Sequence, residues 1–365
     1  MSDCKTVRLG EILQIQPKSK IKAGDGSKVG IFPFYTCSNE LTKKIDTADY
    51  EGPALVFGTG GNASVHYVNG KFSTSTDCLV YKTNSNTNLS LINQYLRANI
   101  YLLENGFKGA GLKHISRDYI SNIEIKLPDS TIQEKVVSQL DLLESNITKH
   151  KTILEKLDLL IKSRFIEMFG DPITNPKHWN TKAITELCEN IMGGGTPSKS
   201  KPEYFEGTIP WVSPKDMKSL FILDSQDHIT EDAVNNSSAK KIKSDSILMV
   251  IRSGILKHTL PVAMNKVEVT INQDMKAFIP SSEINPYYLL FYFKGIERDV
   301  LSGVRAVTAD NIDFNQFKKR HVILPPKQMQ DDFASFVQQI DKSKFEIWLY
   351  LNLCYIIEKR VFTYD

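Results

Sequence analysis

Residues 192–200 read Met-Gly-Gly-Gly-Thr-Pro-Ser-Lys-Ser and end like a phosphate-binding loop, in which backbone N–H groups and a lysine hold nucleotide phosphates. That loop needs a glycine directly before the lysine, but Ser198 precedes Lys199. A clean strand should also precede the loop, and none does. The segment therefore does not predict a nucleotide-hydrolysing enzyme.

Residues 285–288, Asn-Pro-Tyr-Tyr, are similar to the Asn-Pro-Pro-aromatic motif with which adenine methyltransferases hold a flipped base. The third position differs, and no glycine-rich cofactor loop follows an upstream strand. We instead predict Asn285 as a helix N-cap with Pro286 at the first helical position. Asn93, taken as its counterpart in the first half of the chain, is predicted to cap a helix as well.

Other catalytic arrangements are also weak. Asp274 and Lys276 could form half of a nuclease metal site, but the corresponding Asp77-Cys78-Leu79 lacks the lysine, so a strand-end acid with a backbone hydrogen bond is favoured. The five cysteines form no CxxC pair, and the seven histidines form no HExxH motif, which leaves no zinc site or disulfide framework. We predict a non-catalytic chain that binds no metal or cofactor.

Several loops carry Lys or Arg among Gly, Ser, Thr, Asn and aromatic residues. Lys and Arg neutralise phosphates, while Arg and Asn can read base edges in the DNA major groove. For any single loop, a solvated turn is the alternative. The candidate DNA-binding residues are Lys18, Lys20, Lys22, Thr59, Asn62, Lys108, Lys113, His114, Thr196, Ser198, Lys199, Lys201, Tyr204, Trp211, Lys215, Arg252, Lys257, His258 and Arg305.

The elements that position these loops occur in an internal sequence repeat. A shift of 197 residues superposes the two halves without a gap over a long stretch, so that Asp77, Leu127 and Gln133 recur as Asp274, Leu324 and Gln330. Each copy predicts an apolar strand, then a Leu-Pro break, and then a long helix that begins near a Gln. The repeat indicates a duplication.

The two long helical patterns share a heptad seam, which predicts that the helices pair. The alternative is that each helix lies on its own domain. In the second helix the seam has charged interruptions at Lys344 and Glu358. The seam residues are Val136, Leu140, Leu143, Ile147, Leu154, Leu157, Ile161, Phe333, Val337, Ile340, Ile347, Leu351 and Val361.

Length and composition fit this organisation. The 365 residues suffice for two or three domains, and 41% apolar with 24% charged residues exclude a disordered, collagenous or membrane protein. We predict α+β domains over 1–130 and 171–326 and long helices over 131–170 and 327–365. The net charge of +3 neither marks nor excludes a nucleic-acid binder. The N-terminus lacks an apolar signal core, so a cytoplasmic protein without a membrane anchor is expected.

If the helices run antiparallel, their globular domains must sit at opposite ends. A helix of 38 residues spans about 57 Å at 1.5 Å per residue. That length is roughly 17 base-pair steps of DNA. The paired helices are therefore predicted to set the distance between the two DNA segments that the domains contact.

Five segments together resemble the specificity (S) subunits of type I restriction-modification systems. Residues 193–198, 202–205 and 209–216 resemble the opening of a target recognition domain in that family. Residues 168–172 and 175–179 resemble the join between the first long helix and the second domain. The first domain departs from the Gly-Gly-Thr-Pro opening and is assigned mainly through the repeat.

The resemblance implies two tandem target recognition domains, each followed by a long helix, with the helices pairing as an antiparallel coiled coil. It further implies that the chain reads a bipartite, asymmetric double-stranded DNA target in a host-defence complex. The expected partners are modification (methyltransferase) subunits, two in number, and motor-nuclease restriction subunits. AdoMet, ATP and Mg are expected on those partners. Near-neutral helices are the expected docking site for the modification subunits.

Two other functions stay open from the residues alone. A coiled-coil scaffold whose globular ends bind proteins would be indifferent to DNA. A self-contained methyltransferase or nuclease would bind AdoMet or cleave DNA with a metal.

Overall fold

The computed structural model of the chain describes residues 4–303, 305–306 and 310–362. The chain divides into two units, of which the first contains Met1–Lys151 with Trp348–Asp365 and the second contains Thr152–Ile347. Each unit therefore combines one α+β domain with parts of both long helices.

The described part of the first domain contains ten strands, four short helices and a 3-10 turn, followed by the first long helix. The strands are β1 (Lys5–Arg8), β2 (Leu13–Ile15), β3 (Phe32–Tyr35), β4 (Lys43–Ile45), β5 (Tyr50–Glu51), β6 (Ala54–Gly58), β7 (Ser64–Val68), β8 (Lys71–Thr74), β9 (Cys78–Thr83) and β10 (Glu124–Leu127). The helices are α1 (Leu9–Ile12), α2 (Leu89–Ala98), α3 (Tyr101–Glu104), α4 (Arg117–Asn122) and α5 (Ser130–Phe169), and the 3-10 turn is Ala23–Asp25.

A four-stranded sheet in the order β2-β9-β6-β7 forms the centre of the first domain. All five residues of β6 are buried, and their side chains alternate between the two faces of the sheet. Leu55 and Phe57 pack with Ile92 of α2, whereas Val56 packs with Phe72 of a second sheet, ordered β4-β3-β8-β5. The central strand is therefore covered on both faces.

Over its described residues, the second domain contains twelve strands and two 3-10 turns. The strands are β11 (Thr181–Ala183), β12 (Cys188–Gly193), β13 (Ile209–Val212), β14 (Phe221–Ile222), β15 (His228–Ile229), β16 (Ile247–Val250), β17 (Val262–Asn265), β18 (Thr270–Ile271), β19 (Met275–Pro280), β20 (Arg305–Ala306), β21 (Asp310–Asn311) and β22 (His321–Ile323). The 3-10 turns are Pro202–Phe205 and Gly254–Lys257. The helices are α6 (Ile184–Leu187), α7 (Glu231–Asn235), α8 (Pro286–Gly295), α9 (Glu297–Ser302), α10 (Phe314–Phe317) and the long α11 (Lys327–Phe362).

The second domain repeats the layering of the first. Its main sheet has the order β12-β19-β16-β17-β14, and every residue of β16 is buried. Ile247 and Met249 face the cluster that contains α8, while Leu248 and Val250 face the cluster of β13 and β18. A three-stranded sheet, β15-β13-β18, forms the second layer.

The repeat is constant in one part of each domain and variable in the other. From β9 onward the structure keeps the offset of the sequence repeat, since β9 matches β19, α2 matches α8, and α5 and α11 begin at equivalent positions. The earlier helices α1 and α6, which begin at Leu9 and Ile184, are separated by a smaller offset. The second domain therefore holds additional residues between its first helix and β19.

Asparagines cap the equivalent helices α2 and α8, but one predicted position was wrong. Asn285 caps α8 by accepting a hydrogen bond from the backbone N–H of Tyr287, with Pro286 at the first helical position, as expected. In the first domain the cap is Asn88, whose side chain accepts from Ser90 and Leu91. Asn93 instead lies inside α2, because the constant offset of the repeat pairs Asn285 with Asn88.

A buried glutamine joins each long helix to its domain. In the second unit, Gln330 Oε1 accepts the backbone N–H of Asn285 at 2.9 Å, and Gln330 Nε2 donates to the carbonyl of Pro325 at 2.9 Å. In the first unit, Gln133 makes the same two bonds to Asn88 and Pro128, at 3.2 and 2.9 Å. The glutamine thus ties the start of the long helix to the cap of α2 or α8.

The long helices run antiparallel to each other. Within the second unit, the Phe165 and Phe333 ring centroids lie 5.5 Å apart. Asp158 Oδ1, earlier in α5, accepts a hydrogen bond from Lys344 Nζ, later in α11, at 2.7 Å. Residues later in α5 contact residues earlier in α11, so the two helices have opposite directions.

The predicted seam follows the less exposed stripe of both helices. His150, at the gap in the α5 seam, lies with its ring centroid 4.5 Å from that of Tyr350 within the first unit. The side chain of Val361 lies outside the described residues. Buried seam residues are Leu140, Ile147, Ile161, Phe333, Val337 and Leu351, and half-buried ones are Val136, Leu143, Leu154, Leu157, Ile340 and Ile347.

The helices also pack on the domains. Leu140, near the start of α5, belongs to the first domain's core, and Phe165 and Phe169, near its end, belong to the second domain's core with Phe333. The two packings that the sequence left open therefore occur together.

Replacing Gln330 by Met is expected to destabilise the second unit by about 2–4 kcal/mol. The change leaves the N–H of Asn285 and the carbonyl of Pro325 without partners, and each unpaired buried group costs about 1–3 kcal/mol. Urea unfolding followed by Trp179 and Trp211 fluorescence measures it. Gln328→Met is the matched control, since Gln328 is exposed in the same helix and its side-chain amide donates to Asp332. Equal destabilisation by both variants would contradict the role of Gln330.

Candidate nucleic-acid interface

In the first unit, the predicted segments 59–62 and 108–114 lie side by side. The carbonyl of Thr59 accepts hydrogen bonds from the N–H of Ile115 at 3.1 Å and from His114 Nδ1 at 3.2 Å. Backbone hydrogen bonds in both directions join Lys108 and His114, which closes the second segment into a hairpin. These contacts bring the exposed side chains of Asn62, Lys108, Lys113 and His114 into one group.

The loop with Lys18, Lys20 and Lys22 connects to that group through neighbouring residues. The carbonyl of Ile21 accepts the N–H of Thr76 at 2.8 Å, and the carbonyl of the next residue, Asp77, accepts the N–H of Thr59 at 2.9 Å. All three lysine side chains are exposed. The turn before β9 therefore anchors both predicted regions of the first domain.

The second unit repeats this arrangement at equivalent positions. Residues 252–258 lie beside the β20–β21 hairpin, because a backbone bridge joins Arg252 to Asn311 and the N–H of Ile312 donates to the carbonyl of Ile251 at 2.9 Å. The side chains of Lys257 and His258 are exposed. Arg305 begins the hairpin at the position equivalent to Lys108, but its side chain lies outside the described residues.

Arg252 is held by a carboxylate. Its Nε and Nη2 atoms contact Asp274 Oδ1 at 2.7 and 2.6 Å, with half of the arginine side chain exposed. Asn272 Nδ2 bonds the other carboxylate oxygen at 3.3 Å. The backbone carbonyl of Asp274 accepts the N–H of Ile251, which is a backbone hydrogen bond at this strand end. The carboxylate of Asp274 orients Arg252 instead.

The glycine segment 193–195 serves close packing. A Cβ on Gly194 would lie 1.9 Å from the carbonyl oxygen of Asn272, and one on Gly195 would lie 2.3 Å from the carbonyl carbon of Ser238. The N–H of Gly195 already donates to the carbonyl of Ile271 at 2.9 Å. The segment thus fits between two other chain segments, which explains the glycines without a nucleotide.

Two predicted aromatic residues support the loops from inside. Tyr204 and Trp211 are 3% and 8% exposed and share a small core with Ile229. The indole N–H of Trp211 donates to the carbonyl of Gly195 at 2.9 Å. Tyr204 lies under Lys201, whose Nζ donates to its hydroxyl at 2.9 Å. In this structure both rings hold the loop that carries the exposed lysines.

The remaining polar residues of this loop region lie near one another or near acids. Thr196 donates to Gln273, and the Ser198 and Ser200 hydroxyls are 2.8 Å apart. Lys199 is exposed. Lys215 Nζ bonds Asp227 Oδ2 at 2.7 Å, and this hydrogen bond raises the pKa of Lys215.

Sequence reasoning missed Cys37, which lies under the 59–62 segment. Its Sγ accepts the N–H of Gly60 at 3.4 Å. A hydrogen bond from the Cys78 thiol, with help from the backbone at Gly60, lowers the pKa of Cys37 to about 6. Cys78 is distant in sequence, so cysteine spacing gave no signal.

Two of the weak motifs in the sequence do not correspond to a site in the described parts of the chain. Within residues 4–303, 305–306 and 310–362, no three His, Cys, Asp or Glu side chains lie close enough to hold a metal ion. Asn285 caps a helix instead of facing a base. Over the same residues, no helix has both the length and the apolar character that crossing a bilayer requires.

The fold defines a class of tandem-repeat proteins, in which two similar α+β domains with polar loops are each followed by one long helix of an antiparallel pair. The sequence model described as type I restriction modification DNA specificity domain matches residues 1–159 and 176–348. The chain is 32% identical to the Escherichia coli type I restriction enzyme EcoR124I/EcoR124II specificity subunit, covering 91% of this chain and 85% of that protein. It is 25% identical to the putative type I specificity subunit S.MpnORF507P of Mycoplasma pneumoniae, covering 91% and 87%.

Two solved structures share the fold. The S subunit of a type I restriction-modification system from M. genitalium has a TM-score of 0.63 at 12% identity and covers 99% of this chain and 95% of its own. A chain from a study of type I restriction-modification assembly has a TM-score of 0.59 at 16% identity and covers 99% and 97%. The protein belongs to the type I restriction-modification specificity family, whose members are the non-catalytic subunits that set the DNA sequence specificity of the complex.

Alkylation of Cys37 by iodoacetamide is expected to accelerate as pH rises through about 6, because the reactive thiolate forms above that pKa. Cys188 is the internal control, since burial raises the pKa of its thiol to about 12 and keeps it protonated. Mass spectrometry of the labelled peptides between pH 5 and 8 measures both rates, and Cys37→Ser identifies the first. Half-maximal labelling of Cys37 above pH 8 would show that the contacts do not stabilise the thiolate.

Proposed function

We propose that the exposed polar side chains of each loop region contact DNA, with one half-site read by the domain at 1–130 and the other by the domain at 171–326. In the first domain these are the lysines at 18, 20 and 22 and the group formed by Asn62, Lys108, Lys113 and His114. In the second they are Lys199, Lys201, Lys215, Arg252 and the 257–258 pair. Thr59, Thr196 and Ser198 lie among them, while Tyr204 and Trp211 hold their loop in place.

The observation that supports this proposal most strongly is the repeated loop pair. Segment 59–62 lies beside hairpin 108–114, and segment 252–258 lies beside the hairpin that contains Asn311. The two pairs occupy equivalent positions but carry different side chains. Equivalent placement with different chemistry is what two readers of different half-sites require, because phosphate contacts position a domain and base contacts specify it.

The exposed apolar face of α11 supports a docking role for the helix pair. Leu349, Leu353, Ile356 and Ile357 are 43–54% exposed and share one helical face by their spacing. Exposed apolar stripes of this kind mark protein interfaces. We assign the stripe to modification subunits, two for each copy of this chain. The modification subunits are expected to hold AdoMet, and the restriction subunits are expected to use ATP and Mg. We expect this complex in the cytoplasm.

A pair of substitutions tests the assignment of half-sites. Arg252→Ala is expected to lower affinity for DNA on the order of tenfold and to relax base discrimination in one half-site only, since a bidentate base contact contributes about 1–3 kcal/mol. Lys113→Ala should affect only the other half-site. Binding of the complex with modification subunits to DNA panels randomised in one half at a time measures both effects. Loss of discrimination in both halves by either variant would contradict the division.

The lengths of the helices provide a second test. Inserting one heptad after Leu154 and one after Ile347 keeps the seam register and adds about 10.5 Å. The gap between methylated half-sites should grow by roughly three base pairs at 3.4 Å per step. Methylome sequencing of cells with the altered system reads the gap directly. As a control, a variant in which the same heptads replace existing ones should keep the original spacing. An unchanged gap in the insertion variant would show that the helices do not set the gap.

A further inference from the structure

A cavity of 730 Å³ in the first unit lies between α2, the start of α5 and the strand β7. Two neighbouring amide side chains of α2, Asn93 and Gln94, line its wall, and each is only 8% exposed. Their oxygens Oδ1 and Oε1 have no hydrogen-bond partner. Buried acceptors without donors are unfavourable, so these two adjacent unpaired oxygens need an explanation.

The duplication shows what these positions hold when they serve packing alone. At the constant offset of the repeat, which pairs Asn88 with Asn285, Asn93 and Gln94 correspond to Leu290 and Phe291 of α8, which are buried in the second domain's core. Phe291 packs edge-on against Phe333, with ring centroids 5.5 Å apart. The first domain therefore has unpaired polar groups where the second has a filled apolar core. Positions that break a local rule are where functional sites are expected.

The cavity lining includes two carboxylates, Asp141 and Glu144, beside the amides of Asn93 and Gln94. Gln94 Nε2 donates to Asp141 Oδ1 at 3.2 Å, and because a carboxylate only accepts, the Gln94 oxygen is the group left over. Glu144, one turn further along α5, is held by Arg97 at 3.6 Å, and both side chains are more than half exposed. Two carboxylates against one arginine leave a net negative charge. Burial and the nearby Arg97 lower the pKa of His66, so His66 does not cancel it.

We propose that this Asn93–Gln94 cavity binds a guanidinium group. A planar guanidinium has five N–H donors in a fixed fork that fits carboxylates. Asp141 supplies the charge, since Glu144 is already paired with Arg97, and the amides of Asn93 and Gln94 supply further acceptors after rotation about their soft terminal torsions. Tyr35 and Tyr67 also line the cavity. The group could belong to a small free cation or to an arginine of a partner protein, and this site lies outside the proposed DNA contacts.

Binding of butylguanidinium to the full chain, without DNA, tests the proposal by calorimetry or NMR titration. Saturable binding is expected, and neutral butylurea, which has the same shape, should bind at least tenfold more weakly. The double variant Asn93→Leu, Gln94→Met should lose at least tenfold in butylguanidinium affinity without a lower melting temperature. Asp141→Asn is a second variant with the same expected loss. Glu104→Gln, an exposed charge change not among the residues that line the cavity, should bind like the wild type.

Unchanged butylguanidinium affinity in both cavity variants, or equal affinity for butylurea, would overturn the proposal. The source of the natural group is decided by adding the modification subunits. Competition between butylguanidinium and those subunits identifies an arginine of the partner, whereas additive binding identifies a free cation. Because the titration uses no DNA, its failure would leave the assignment of half-sites untouched.

Discussion

The hydrogen bonds of one buried glutamine in each repeat fix how a long helix leaves its recognition domain. Gln330 is fully buried and satisfies one donor and one acceptor, the N–H of Asn285 and the carbonyl of Pro325. The Leu-Pro break ends the preceding strand, and the glutamine spans from that break to the cap of α8. Because an amide can satisfy both groups only in one orientation, the first turn of the helix has little freedom to tilt. Everything that depends on the direction of the helix therefore depends on this residue.

The buried glutamine lies in the part of each repeat that stays constant, here called the frame. The loops that vary between the repeats precede it in the chain. From β9 through the start of α5, and from β19 through the start of α11, the two repeats keep one fixed offset. The additional residues of the second domain fall before β19, in the part that contains the glycine segment, Trp211 and the loop of Lys215. A frame that stays constant while its loops differ in length can present different side chains to DNA without altering the helix pair.

The sequence predicted the frame well because the frame is built from local signals. Periodicity predicted long helices at 131–170 and 327–365, close to the observed Ser130–Phe169 and Lys327–Phe362, and the seam follows the less exposed stripe. The prediction at Asn93 was wrong because Asn93 is similar to Asn285 in its local sequence, whereas the repeat offset pairs Asn285 with Asn88. The contacts of Arg252 with Asp274 and of Cys37 with Cys78 were not predictable, since each joins positions that are distant in sequence through the tertiary fold.

The paired charges of the loops bear on why a DNA reader has a net charge of only +3. Arg252 and Lys215 already contact carboxylates in the free chain. Such exposed ion pairs contribute little to stability, at most about 1 kcal/mol, so under the proposed assignment DNA can replace the acid at low cost. The exchange, however, gains little non-specific attraction, because the released carboxylate stays near the phosphates. A side chain held in a fixed direction by an acid, such as Arg252 by Asp274, then favours a partner with matching geometry over any phosphate in reach. Under the proposed assignment, charge pairing therefore lowers the general affinity for DNA and raises the relative contribution of the correct base.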